Sequence, residues 1–172
     1  QGAGVFVRAR SSAAPFAFQA IDQARISSML ETLELRSAVE IEAAGLAALR
    51  RSPAQEEAIF RAHHAVATQV ANGVRSAEAD FAFHKAIAAA TNNPRFVEFL
   101  DLLGQAAIPR AAMQGDNGEA LAPSYLQVIV DEHKRIANAI SLGDDSAARE
   151  AMRQHLKGSQ QRYRRLLQTS GD

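Results

Sequence analysis

Three histidines and one aspartate carry the chemistry that this sequence could do. Asp80 and His84 stand four apart in "ADFAFHKAIAAAT", so a helix there projects them side by side. The inward stripe of that helix reads Ala77, Asp80, Phe81, His84, Ile87, Ala88, Thr91. A later helix has the stripe Ile129, His133, Ile136, Ile140, and the last has Ala148, Met152, His155, Ser159. Three helices thus each place an ionisable group where an apolar one is expected. A buried carboxylate without a partner costs several kcal/mol or shifts its pKa, so something should compensate it. Three imidazoles and one carboxylate are a donor set for a divalent transition metal: nitrogen ligands, one hard oxygen and no sulfur.

Blander readings stand beside this one. A single histidine on an apolar stripe is more often a hydrogen-bonded core residue than a ligand. Asp80 could cap its helix or pair with Arg75 or Lys85. His63 and His64 are adjacent, so they point in different directions from a helix and read as surface or edge residues. The alternatives are a metal centre built by convergence of three helices and a helical module with satisfied core histidines.

The elements that must position these residues are helices. From about Ala24 to Arg51, Leu30, Leu33, Val39, Ile41, Leu46 and Leu49 recur at helical spacing between Glu and Arg residues. Ser52, Pro53 and Gln55 form a capping box that starts a second helix, running to about Ala71. Ser76 caps a third, running to Thr91, and "TNNP" stops it because Pro94 disfavours helix in the residue before it. A fourth is expected from Pro94 to about Ala112, followed by the loop "QGDNGEALAP". Ser124 caps a fifth that Gly143 stops, and Asp144–Asp145 begins a sixth ending near Gln168. The expected fold class is all-α, an antiparallel bundle of about six to seven helices.

Composition narrows the function classes. The chain has 172 residues, enough for one domain with a sizeable core. No apolar run approaches the ~18 residues that span a bilayer, and no secretory leader is visible, so the expectation is a cytoplasmic protein with no membrane partner. The absence of cysteine excludes thiolate metal sites and disulfides. Nineteen basic and nineteen acidic residues cancel, which makes the chain by itself a poor nucleic-acid binder. The opening "QGAGVFVRAR" looks like a turn feeding a strand with no partner, and "SSAAPFAFQA" like a linker.

The segments "LELRSAVEIEAAGLAA", "ADFAFHKAIAAATNNP" and "DEHKRIANAISLGDDSAAREAMRQHL", in that order, resemble the C-terminal effector-binding (FCD) domain of GntR-family transcriptional regulators of the FadR subfamily. The resemblance covers about residues 25 to 168 and implies an all-helical bundle. In many members it implies a divalent metal held by one Asp and three His, which here match Asp80, His84, His133 and His155. All four are present, which favours the metal-binding branch over the acyl-CoA-binding one. Zinc is the first expectation for the metal, with nickel, manganese or iron as alternatives. The resemblance also implies that Arg36 meets an acidic effector, against the simpler reading that it pairs with Glu40 on a solvated face. It places Asn93 beside the site, against the reading of a helix stop before Pro94. Arg110, which interrupts an apolar run, is a further candidate.

In such regulators a winged helix ends in a strand that Gly2, Gly4, Phe6 and Val7 resemble. The organisation expected is a wing-strand remnant at 1–10, a linker at 11–23 and a metal- and effector-binding domain at 24–172, with a DNA-binding domain upstream of the chain. The implied function is the ligand-sensing domain of a homodimeric bacterial regulator that binds a divalent metal and a small organic acid to control DNA binding. The alternative is a metal-dependent helical-bundle enzyme acting on a small organic acid, with Glu40, Glu132 or His64 moving protons.

Overall fold

A computed structural model of the chain describes residues 26–73, 77–104 and 123–169, and every regular element in them is an α-helix. They are α1 (Ile26–Arg50), α2 (Pro53–Ala71), α3 (Ala77–Ala90), α4 (Pro94–Leu103), α5 (Pro123–Ser141) and α6 (Asp145–Thr169). The expected all-α bundle is what these residues form. The wing strand at 1–10, the linker at 11–23, the Ser76 cap and Arg110 lie outside the described residues.

The helix ends follow local chemistry. Ser52 Oγ accepts from the Gln55 N–H at 3.3 Å, and Gln55 Oε1 accepts from the Ser52 N–H at 2.8 Å, completing the expected capping box. Asn92 ends α3 in the left-handed region, with φ of 56°, a conformation Asn tolerates better than most residues. Its amide donates to the Arg50 carbonyl at 2.7 Å and accepts from Gln55 Nε2 at 2.9 Å, which ties the end of α3 to the α1–α2 corner. Asp144 Oδ1 accepts from the Ala147 N–H at 2.9 Å and so caps α6. The fourth helix stops at Leu103, well short of Ala112. Gly104 takes φ of 65° there and returns its N–H to the Leu100 carbonyl at 2.9 Å. α5 begins at Pro123, so Ser124 lies inside the first turn rather than ahead of it.

α2 with α3 and α5 with α6 are helical hairpins, while α1 runs along α6 and also contacts α3 and α5. The α1–α6 seam is close because Gly45 has no side chain: a Cβ there would lie 2.3 Å from Arg149 Cζ. The Arg149 guanidinium crosses α1 at that point and pairs with Glu42 at 3.0 Å and with Asp145. Phe83, Ile87, Ile136, Ile140, Met152 and Leu156 form the core against Ala44 and Ala47. Each large side chain so buried contributes roughly 1.5–3 kcal/mol.

Two stripe expectations are corrected. In α3 the buried aromatic is Phe83, fully enclosed, whereas Phe81 is half-buried. In α1 the apolar spacing fails at Leu49, which is 62% exposed, while Leu33 is fully buried. The buried positions of α1 are Thr32, Leu33, Arg36, Glu40, Ala43, Ala44, Gly45, Ala47 and Ala48, mostly small residues with one ion pair among them.

Candidate metal centre

α1, α3, α5 and α6 converge on one buried polar centre. Asp80, His84, His133 and His155 are all at most 3% exposed. One ring nitrogen from each of the three histidines falls within 4.8 Å of the others. Asp80 reaches two of them: its Oδ1 lies 3.4 Å from His133 Nε2 and its Oδ2 lies 3.8 Å from His84 Nε2. The four residues that the sequence singles out are therefore brought together, by the i, i+4 spacing on α3 and by the packing of α5 and α6 over it.

Each ring is held from behind. His84 Nδ1 contacts Glu40 Oε2, and Glu40 Oε1 accepts from Arg36 Nε at 2.5 Å. His155 Nδ1 lies 2.8 Å from Glu132 Oε2. Arg162 grips the same carboxylate with both terminal nitrogens, at 2.8 Å and 2.9 Å. Phe83 stacks face to face on His133, with ring centroids 4.3 Å apart. Metal-binding imidazoles commonly donate their second N–H to a carboxylate, which fixes tautomer and ring orientation. Two of the three rings here have that arrangement, and an arginine backs each carboxylate.

These contacts set the charge states. Burial by itself would raise the Glu132 pKa, but the hydrogen bonds from His155 and Arg162 overcome it and hold the carboxyl at about 2. Burial also opposes ionisation of Glu40, and the Arg36 charge with the hydrogen bonds from His84 and Arg36 outweighs it, so Glu40 too lies well below the usual carboxylate range. Carboxylates ionised so far below neutrality are poorly matched to proton transfer at pH 7. Glu40 and Glu132 are thus orienting groups rather than general bases, and His64 is exposed on α2. Burial pushes His155 down to about 4, against the pull of Glu132. Its ring is neutral at pH 7, the form that offers a lone pair.

The residues present fit a metal. The donor set is three imidazoles and a carboxylate, suited to zinc and other first-row divalent ions. His84 Nε2 is buried and makes no hydrogen bond among the described residues. Such a group costs about 1–3 kcal/mol if nothing compensates it.

A pH prediction follows from His155. Its pKa is 6.5 in the unfolded chain and about 4 in the fold. As pH falls through this window the unfolded chain takes up a proton that the fold refuses, so stability present above pH 6.5 is lost progressively down to about pH 4. At ~1.4 kcal/mol per pH unit separating the two values, the metal-free bundle should lose about 3 kcal/mol. Urea unfolding in chelator at pH 7.5, 5.5 and 4.5 measures it. Equal stabilities at the three pH values would refute the assignment of a neutral buried His155.

Arg36 does pair with Glu40, but on the inside of the bundle, where it is 2% exposed, and not on a solvated face. Asn93 is half-buried and caps α4, its Oδ1 accepting from the Arg95 N–H at 3.1 Å. His63 is an edge residue of α2 whose ring meets the edge of Phe83 at 6.3 Å. Sequence reasoning missed Arg162, and no local pattern marks it, because its partner Glu132 is 30 residues away.

Fold and site define an all-α bundle with a histidine–aspartate centre enclosed among four helices. The FCD domain model matches residues 31–158, and the chain belongs to that family. The resemblance to the effector domain of GntR-type regulators is borne out. The HTH-type transcriptional regulator LutR of Bacillus subtilis (strain 168) is 31% identical over 126 residues, covering 73% of this chain and 58% of the relative. The putative L-lactate dehydrogenase operon regulatory protein of Escherichia coli (strain K12) is 30% identical over 130 residues, covering 73% and 48%. The chain thus spans about half the length of the curated relatives it matches. Among solved structures, a Streptococcus agalactiae GntR superposes with a TM-score of 0.65 at 20% identity, covering 77% of this chain and 58% of that one. E. coli McbR/YncC superposes with 0.67 at 15% identity, covering 83% and 70%. These two share the fold. No helix among the described residues is long and apolar enough to cross a membrane.

Proposed function

We propose that the chain is the ligand-sensing part of a transcriptional regulator, holding a divalent metal through Asp80, His84, His133 and His155 and taking a small carboxylate effector beside it. The observation that carries this reading is the convergence of three buried imidazoles and one carboxylate, with Arg-backed carboxylates behind two of the rings. The names of the curated relatives, both regulators, support the class. A bound metal would supply a Lewis-acid position for a carboxylate oxygen.

Arg36 would hold the effector's second oxygen, since a guanidinium presents a planar fork to a carboxylate. A 2-hydroxy acid fits this arrangement well, because its hydroxyl and one carboxylate oxygen can chelate one ion together. One relative is named for an L-lactate dehydrogenase operon, which puts L-lactate in the first panel to test. Effector binding would act on an attached DNA-binding domain, in a homodimer, only through different affinities for two packings of the bundle.

Elemental analysis after purification without chelator should give about one equivalent of metal per chain. Calorimetry with small organic acids should then show binding to the loaded protein and none to the stripped one. Equal binding to both forms would remove the metal from recognition.

A further inference from the structure

Gly158 lies in the interior of α6, where glycine costs about 1 kcal/mol relative to alanine. The backbone does not ask for it. The positive-φ glycines among the described residues are Gly73, Gly104 and Gly143, and Gly158 is helical. What occupies the space over Gly158 is a pair of charged groups. A Cβ there would lie 2.8 Å from Arg162 Nη1 and 3.1 Å from Glu132 Oε1. Arg162 is one turn on from Gly158, and His155 is one turn back, on the same helix. Glu132 comes across from α5, 8% exposed, and receives both Arg162 nitrogens at 2.8 Å and 2.9 Å. Ser159 Oγ accepts from Arg162 Nη2 at 3.2 Å and steadies the fork. The carboxylate so fixed stands 2.8 Å from His155 Nδ1.

We propose that Gly158, Glu132 and Arg162 form one positioning unit for His155. The missing side chain at 158 lets the guanidinium–carboxylate fork lie against the helix. The fork fixes the carboxylate, and the carboxylate accepts a hydrogen bond from Nδ1–H, leaving Nε2 as the ligating nitrogen. The proposal rests on the metal reading for its consequence but not for its geometry. Helix propensity and the positioning unit predict opposite effects of one substitution. By propensity, Gly158→Ala simply stabilises α6. By the positioning unit, the new methyl displaces the fork and frees the His155 ring.

The test uses Gly158→Ala, Arg162→Gln and the double variant, with two readouts. In zinc titrations against a competing chelator, each single variant should bind roughly 10–100-fold more weakly than the parent. The double variant should be no weaker than the worse single one, because both changes break the same unit. In nitrogen-15 imidazole spectra of the stripped proteins, His155 should be the Nδ1–H tautomer in the parent and a mixture in the variants. Parental zinc affinity and an unchanged tautomer in Gly158→Ala, with a higher melting temperature, would overturn the proposal. So would a parent in which His155 is already mixed. A parent that binds no zinc but shows the tautomer change in the variants would uphold the positioning unit and sink the metal reading instead.

Discussion

His133→Ala is expected to abolish metal binding and, with it, the metal-dependent part of the bundle's stability. A ligand that binds only the folded state at 1,000 times its dissociation constant stabilises by about 4 kcal/mol. For a helical domain of this size that corresponds to roughly 10–20 °C in melting temperature. The parent should therefore melt far higher with zinc than with chelator, and His133→Ala should melt at one temperature in both. His133 suits this test because neither Glu40 nor Glu132 is its partner, so removing it strands neither of those buried carboxylates. Its loss also removes the stack on Phe83, worth about 1 kcal/mol, which lowers the metal-free melting point slightly in both conditions. A parent whose melting ignores chelator would defeat the metal claim outright.

Half of this centre was legible in the sequence, and the reason is geometric. His84, His133 and His155 each replace one apolar residue in an otherwise regular stripe, so helical periodicity alone aims them inward. Periodicity alone does not fix their meeting point, which depends on how α3, α5 and α6 cross; the resemblance to the effector domain supplied it. α1 was read only in part. Leu33 is buried as its spacing implies, but most of the inner face is alanine and Arg36 with Glu40, residues that a count of large apolar side chains passes over, and Leu49 faces outward. A salt bridge four residues apart on a helix is ordinarily a surface feature, and the facing imidazole of His84 helps make burial of this one tolerable. The end of α4 was missed because the apolar run continues past Gly104, while the left-handed backbone at that glycine ends the helix. No sequence pattern singles out Gly158, since its reason lies in a carboxylate on another helix.

Arg36→Ala should be among the most destabilising single changes in the chain. Arg36 and Glu40 are each 2% exposed, and removing the guanidinium leaves a carboxylate deep in the bundle with half its compensation gone. Breaking a buried pair in this way costs about 3–5 kcal/mol, which urea unfolding in chelator should resolve. Loss of effector binding in Arg36→Ala therefore cannot by itself identify Arg36 as an effector ligand, because a loosened α1 would have the same result. The paired change Arg36→Met with Glu40→Gln separates the two roles. It removes both charges at nearly constant volume, so most of the lost stability should return. His84 then faces a neutral amide and loses its orienting charge, and zinc affinity should stay roughly 10-fold or more below the parent. Arg36→Lys keeps the charge near Glu40 but gives up the planar fork. If Arg36 receives the effector's carboxylate, Arg36→Lys should hold near-parental stability and zinc affinity while binding the organic acid at least about 10-fold more weakly, a loss of about 1.4 kcal/mol. Parental organic-acid affinity in Arg36→Lys would reduce Arg36 to the partner of Glu40.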